Sequence, residues 1–94
     1  MTVAGEKVVT DFAKKHAQSR KPLARFLAVA HEAEWKHMAE VKETLPGTDF
    51  DPDTQSYIFN ISCNKYRLIA FINSEKQTML VDTVMTHEEY NKRK

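Results

Sequence analysis

The 94-residue sequence holds one cysteine, two glycines and three prolines, and its formal net charge is only +1. Each scarcity excludes something. With Cys63 alone no intramolecular disulfide can form, so the fold rests on its core, and the chain is compatible with a reducing compartment. Little Gly and Pro beside 41% hydrophobic and 29% charged residues excludes a fibrous or low-complexity chain. No apolar run approaches the roughly 20 residues of a membrane span, and the start, Met1-Thr-Val-Ala-Gly-Glu6, lacks the basic and apolar regions of a signal peptide. The expectation is a single cytoplasmic domain over 1–94, without a membrane partner and too small for a second catalytic domain.

A charge of +1 is weak for a nucleic-acid binder, whose affinity comes from clustered Lys and Arg that release counterions. The distribution is less even. Residues 1–54 carry 8 basic and 9 acidic side chains, and residues 55–94 carry 6 and 4. Lys65, Arg67 and the Lys92-Arg93-Lys94 tail hold the positive charge of the second half.

Val9, Phe12, Ala13 and His16 follow helical spacing, which predicts a helix over about 6–17. Leu23, Phe26, Leu27 and Ala30 predict a second from Pro22 to about Ala33, and Met38, Val41 and Leu45 a short third that Pro46-Gly47 stops. Asp49 to Thr54 reads as a loop. The period then becomes two: Tyr57 to Ile61 and Lys65 to Ile72 alternate around a turn at Ser62-Cys63-Asn64, and Thr78 to Met85 forms the last strand. Thr86 with Glu89 matches a capping box, which opens a terminal helix bearing His87 and Tyr90 on one face. Helices followed by an antiparallel meander of three to four strands make an α+β fold, with helices on one sheet face and the other free for a ligand.

Polar residues interrupt the hydrophobic meander at Asn60, Asn64-Lys65-Tyr66-Arg67 and Thr86-His87-x-x-Tyr90. These positions resemble the HigB toxins of bacterial type II toxin–antitoxin modules, a branch of the RelE-like messenger-RNA endonucleases. The resemblance is weak over the helices and strong from Tyr57 to Tyr90. It implies a RelE-like fold whose open sheet face receives RNA, and an N-terminal edge strand for which only Met1 to Val3 can serve. It also implies cleavage of mRNA on the ribosome and silencing by a HigA-like helix-turn-helix antitoxin.

Cleavage at a ribose requires the 2′-hydroxyl to lose a proton, the charged transition state to be stabilised and the leaving 5′-oxygen to gain a proton. The nucleophile belongs to the substrate, so neither metal nor cofactor is expected. Arg67 is the candidate phosphate clamp, because a guanidinium gives two parallel hydrogen bonds to phosphate; alternation puts Lys65 on the same face. His87 is the candidate proton carrier, and Tyr90 can donate to phosphate, stack on a base or assist proton transfer. Asn60, Asn64 and Lys92 are candidate RNA contacts. Taken without the resemblance, Arg67 and Lys65 are more simply solvated strand charges, His87 a helix-start residue, and the asparagines turn formers. His31-x5-His37 lacks metal-motif spacing, since Trp35 stands where a second histidine is needed.

Three departures from the family pattern stand out, one of them Asn91 in place of the usual acidic residue after the terminal tyrosine, and the other two carry expectations of their own. Ser62-Cys63 replaces two glycines at the hairpin turn. Asp82 replaces a basic residue on the last strand; alternation groups it with Leu80 and Val84 and brings it near Arg67, where it would weaken a phosphate clamp. The rival reading is therefore a toxin-fold module that binds antitoxin or RNA and cleaves little.

Overall fold

The computed structural model describes residues 1–63 and 65–93, so the expected RNA contact Asn64 lies outside the described residues. The elements run β1 (Thr2–Ala4), α1 (Glu6–Lys15), a 3-10 turn (Ala17–Ser19), α2 (Arg20–Glu32), α3 (Met38–Thr44), β2 (Asp49–Asp51), β3 (Ser56–Ile61), β4 (Tyr66–Asn73), β5 (Thr78–Thr86) and α4 (His87–Arg93). All four helices stand within a few residues of their expected bounds. The α+β class holds, but the sheet has five strands, in the order β1-β5-β4-β3-β2, where three to four were expected.

Both additional strands are short edges. β1 pairs parallel with β5 through Val3 and Met79, and the Met1 amine donates to the carbonyls of His31 and Ala33 at 2.8 Å, which ties the start of the chain to the end of α2. Gly5 then turns into α1 at φ 83, and a Cβ there would meet the Val81 carbonyl oxygen at 2.7 Å. β2 occupies part of the expected loop. Its aspartates suit a strand poorly, yet an edge leaves Asp49 exposed while Phe50 packs its ring on Tyr57, centroids 4.9 Å apart.

The sheet separates two apolar clusters of unequal size. On one face Val9, Leu23, Phe26 and Ala30 of the helices bury against Phe59, Leu68, Ala70 and Met79. Phe59 is the centre of that layer, with Phe26 at 4.8 Å and Trp35 at 6.3 Å, and truncating such a ring costs about 3–5 kcal/mol. On the opposite face Ile58, Ile69 and Met85 form a small cluster on which Tyr90 of α4 packs. The terminal helix therefore covers one end of an otherwise open sheet face.

Register decides which side chains meet there. β3 and β4 pair Asn60 with Arg67 and Ile58 with Ile69. β4 and β5 pair Arg67 with Met85 and Ile69 with Thr83, after which a bulge moves Ala70 opposite Val81. Asp82 is the extra residue of that bulge. The expected grouping of Leu80, Asp82 and Val84 on one face is thus wrong: a bulge resets the two-residue period, and Val84 is buried in the helix-side core while Leu80 and Asp82 are exposed. The hairpin turn without glycine puts Ser62 at φ 55 and Cys63 at φ 53, a left-handed conformation that side chains adopt at a cost.

Candidate active site

Three residues from two elements converge where α4 meets the sheet. Arg67, buried to 9% exposure on β4, places Nη2 3.0 Å from Nδ1 of His87 and its guanidinium carbon 5.4 Å from the centre of the Tyr90 ring. Nη1 also reaches the Tyr66 carbonyl at 3.4 Å. A buried cation needs compensating partners, and a ring face within about 6 Å supplies one.

The helix that presents His87 and Tyr90 is set by the expected capping box. The Thr86 amide donates to Glu89 Oε1 at 3.0 Å, and the Glu89 amide donates to the Thr86 hydroxyl at 3.1 Å. Those bonds to Thr86, backbone first, hold the Glu89 carboxyl below its ordinary range, with the charges of His16 and Lys92 adding to the effect. A further bond, from the His87 amide to the Lys65 carbonyl at 2.9 Å, anchors the helix start to the β3–β4 turn.

The hydrogen bonds around His87 fix its ring state in this geometry. A guanidinium only donates, so Nδ1 accepts and a neutral imidazole carries its proton on Nε2. The Asn91 side-chain amide lies 3.0 Å from Nε2. Its oxygen and nitrogen exchange by a half turn, and the oxygen-inward orientation accepts the Nε2 proton. Asn91, in the sequence only a departure from the family pattern, is thus a neighbour of His87, as its spacing of four on one helix face allows.

The remaining expected residues are placed differently. Lys65 does not alternate into Arg67's face: it belongs to the hairpin turn, and its Nζ donates to Gln18 Oε1 at 2.9 Å on the turn between α1 and α2. Asn60 sits opposite Arg67, but its amide donates to the Gly47 carbonyl at 2.7 Å, a bond that fastens the loop before β2. Lys92 is exposed on α4. Asp82 lines a groove of about 370 Å³ with Asp51, Ile69, Phe71 and Tyr90, on the sheet face that Arg67 shares, rather than standing opposite Arg67.

A second, wider cleft of about 660 Å³ lies between the end of α1 and the start of α4. His16, Lys65, Tyr66, Thr86, His87 and Glu88 line it together with the exposed Cys63. His16 was expected only as part of a helical stripe. It ends α1 instead, with its ring stacked on Phe12 at 4.2 Å and 6.2 Å from the ring of Tyr66. The histidine pair once weighed as metal-like has another use, since His31 bonds Glu6 at 2.8 Å.

Comparison with known proteins decides the family. The family model described as HigB toxin, the RelE-like toxic component of a toxin–antitoxin system, matches residues 19–93. The chain belongs to the HigB toxin family. It is 28% identical over 92 residues to the mRNA interferase toxin HigB of Escherichia coli K12, covering 97% of this chain and 88% of the relative. The proteins called mRNA interferase HigB from Escherichia coli O157:H7 and Shigella flexneri match to the same extent. The matched region contains Arg67, His87 and Tyr90. Among the described residues, no helix is long and apolar enough to cross a membrane, and no group of three or more His, Cys, Asp or Glu could hold a metal ion.

Proposed function

We propose that this chain is an mRNA-cleaving endoribonuclease, the toxin of a type II toxin–antitoxin module, acting in the cytoplasm on ribosome-bound messenger and neutralised by a HigA-like helix-turn-helix antitoxin. The observation that carries the reading is the convergence of Arg67, His87 and Tyr90: one guanidinium bonded at 3.0 Å to an imidazole and lying 5.4 Å from a phenol ring. Membership of the family and the names of the relatives support the same activity.

In this reading the scissile phosphate approaches Arg67 where α4 meets the sheet, beside the cleft that His87 lines. The guanidinium turns a donor pair toward the phosphate oxygens and stabilises the negative charge that grows on them, an effect strongest for a pre-positioned, partly desolvated cation. That movement releases Nδ1 of His87, whose lone pair takes the proton of the 2′-hydroxyl. The new O2′–P bond forms as the P–O5′ bond breaks, which yields a cyclic phosphate and a 5′-hydroxyl without any added reactant. The Tyr90 hydroxyl donates to a phosphate oxygen or its ring stacks on a base. Lys65, Lys92, Asn60 and Asn64 belong to the RNA path around this centre rather than to the transferred protons.

The experiment is to incubate purified protein with a defined messenger, free and bound to ribosomes, and to compare the products with those of Arg67→Ala. Cleavage confined to wild type supports the reading, and cleavage only in the ribosomal arm supports ribosome dependence. An intact messenger in both arms with correctly folded wild type contradicts it.

A further inference from the structure

The cleavage reaction needs one group to remove a proton and another to supply one, and His87 is committed to the first of these by its Arg67 contact, which leaves Nδ1 as a lone pair. We propose that His16 is the second proton carrier, the general acid that protonates the leaving 5′-oxygen across the cleft between α1 and α4. The proposal rests on the endoribonuclease reading above and adds to it a residue outside the motifs that mark the family resemblance.

Three observations place His16 for that task. It lines the same 660 Å³ cleft as His87, so the two imidazoles border one space next to the Arg67–His87 pair. Its ring is held by stacking on Phe12 at 4.2 Å and by Tyr66 at 6.2 Å, while the side chain stays partly exposed, which orients it without sealing it from substrate. Tyr66, against which that ring lies, lines the same cleft, so the stack forms part of the cleft's lining.

The other groups around the cleft fit the role less well. Lys65 is a cation there, but an ammonium releases its proton far above neutral pH and its Nζ is bonded to Gln18. Tyr66 is buried in the core side of β4. Glu88 lines the cleft as well, but a glutamate is ordinarily ionised at neutral pH and has no proton to give. Histidine is the side chain that gains and loses a proton between pH 5 and 8. In the balanced step, His87 receives the 2′ proton as O2′ attacks phosphorus, and the His16 imidazolium delivers its proton to O5′ as that oxygen leaves.

The test uses full-length protein and a synthetic messenger programmed on purified ribosomes, with either the normal linkage or a 5′-bridging sulfur at the cleaved position. A thiolate leaves without protonation, so it removes the need for an acid. On the normal linkage His16→Gln should cleave roughly 100-fold more slowly than wild type and should lose the decline of rate at alkaline pH. On the sulfur linkage it should recover to near the wild-type rate, while His87→Ala should not. His16→Phe, which keeps the stack on Phe12, should behave as His16→Gln if the protein folds as wild type by thermal unfolding. Normal cleavage by both folded His16 variants, or a defect that the sulfur linkage does not relieve, would overturn the assignment. An uncleaved normal linkage with folded wild type would instead remove the endoribonuclease reading on which the assignment stands, and the assignment with it.

Discussion

Thr86 and Glu89 cap each other's backbone amides at 3.0 and 3.1 Å, and through this reciprocal pair β5, the last strand of the chain, hands His87 to Arg67. The consequence is that a local sequence motif controls a contact between distant segments. Thr86→Ala should cost about 1 kcal/mol of stability and lower cleavage more than that loss explains, because the first turn of α4 no longer fixes the imidazole. Thermal unfolding and cleavage measured together check it; loss of stability with undiminished cleavage by the folded fraction would show that the cap does not position His87.

The same cap makes α4 sensitive to acid. Bonds to Thr86 depress the Glu89 carboxyl in the folded protein, so the stability it contributes is fully present above the ordinary glutamate pKa and is lost as pH falls through the lowered value. Amide exchange of residues 86–90 should accelerate in acid ahead of the sheet. In Glu89→Gln that acid-dependent step should be absent; an unchanged step would assign the sensitivity to another group.

Arg67 carries both structure and proposed chemistry. Because it is 9% exposed and bonded to His87, Arg67→Ala should destabilise the fold by about 1–3 kcal/mol. Arg67→Lys keeps the charge and loses the planar fork. Cleavage by both folded variants should fall by about one to two orders of magnitude or more, measured against unfolding curves for each. A folded Arg67→Lys with wild-type cleavage would mean that paired donation to phosphate is not required.

Asp82 lies in the open-face groove with Tyr90 and opposite no arginine, so its effect on RNA is at a distance. Asp82→Arg should strengthen RNA binding and cleavage severalfold, most at low salt, since exposed charges are screened over about 8–10 Å. Equal cleavage by the two proteins at low ionic strength would show that the aspartate does not oppose phosphate.

The hairpin turn beside the site offers a stability test. Ser62 and Cys63 hold positive φ angles that glycine adopts freely, so Ser62→Gly and Cys63→Gly should each stabilise by up to about 1 kcal/mol. A lowered unfolding temperature in both would show that their side chains, rather than the turn, matter to the fold.

Much of this was readable before any coordinates. The helices, the meander and the cap at Thr86 follow from periods and capping chemistry that act over a few residues, and Arg67, His87 and Tyr90 stand out as candidates through the family resemblance. What the residues concealed was set by pairing between distant segments. β1 is a strand only because β5 accepts it and α2 holds the Met1 amine. The bulge at Asp82 breaks the alternation that had put Asp82 near Arg67. Lys65 alternates correctly on paper, but as a turn residue its side chain leaves the pleat and finds Gln18. That His16 lines one cleft with His87 is likewise set by tertiary packing, which no spacing in the sequence announces.

The most direct test of the central claim is to induce the chain in bacterial cells without an antitoxin and to map the 5′ ends of their messengers by sequencing. Wild type should arrest growth and create new 5′ ends within coding regions, and folded Arg67→Lys and His87→Ala should do neither. Unimpeded growth and intact messengers while soluble, folded wild-type protein accumulates would contradict the account.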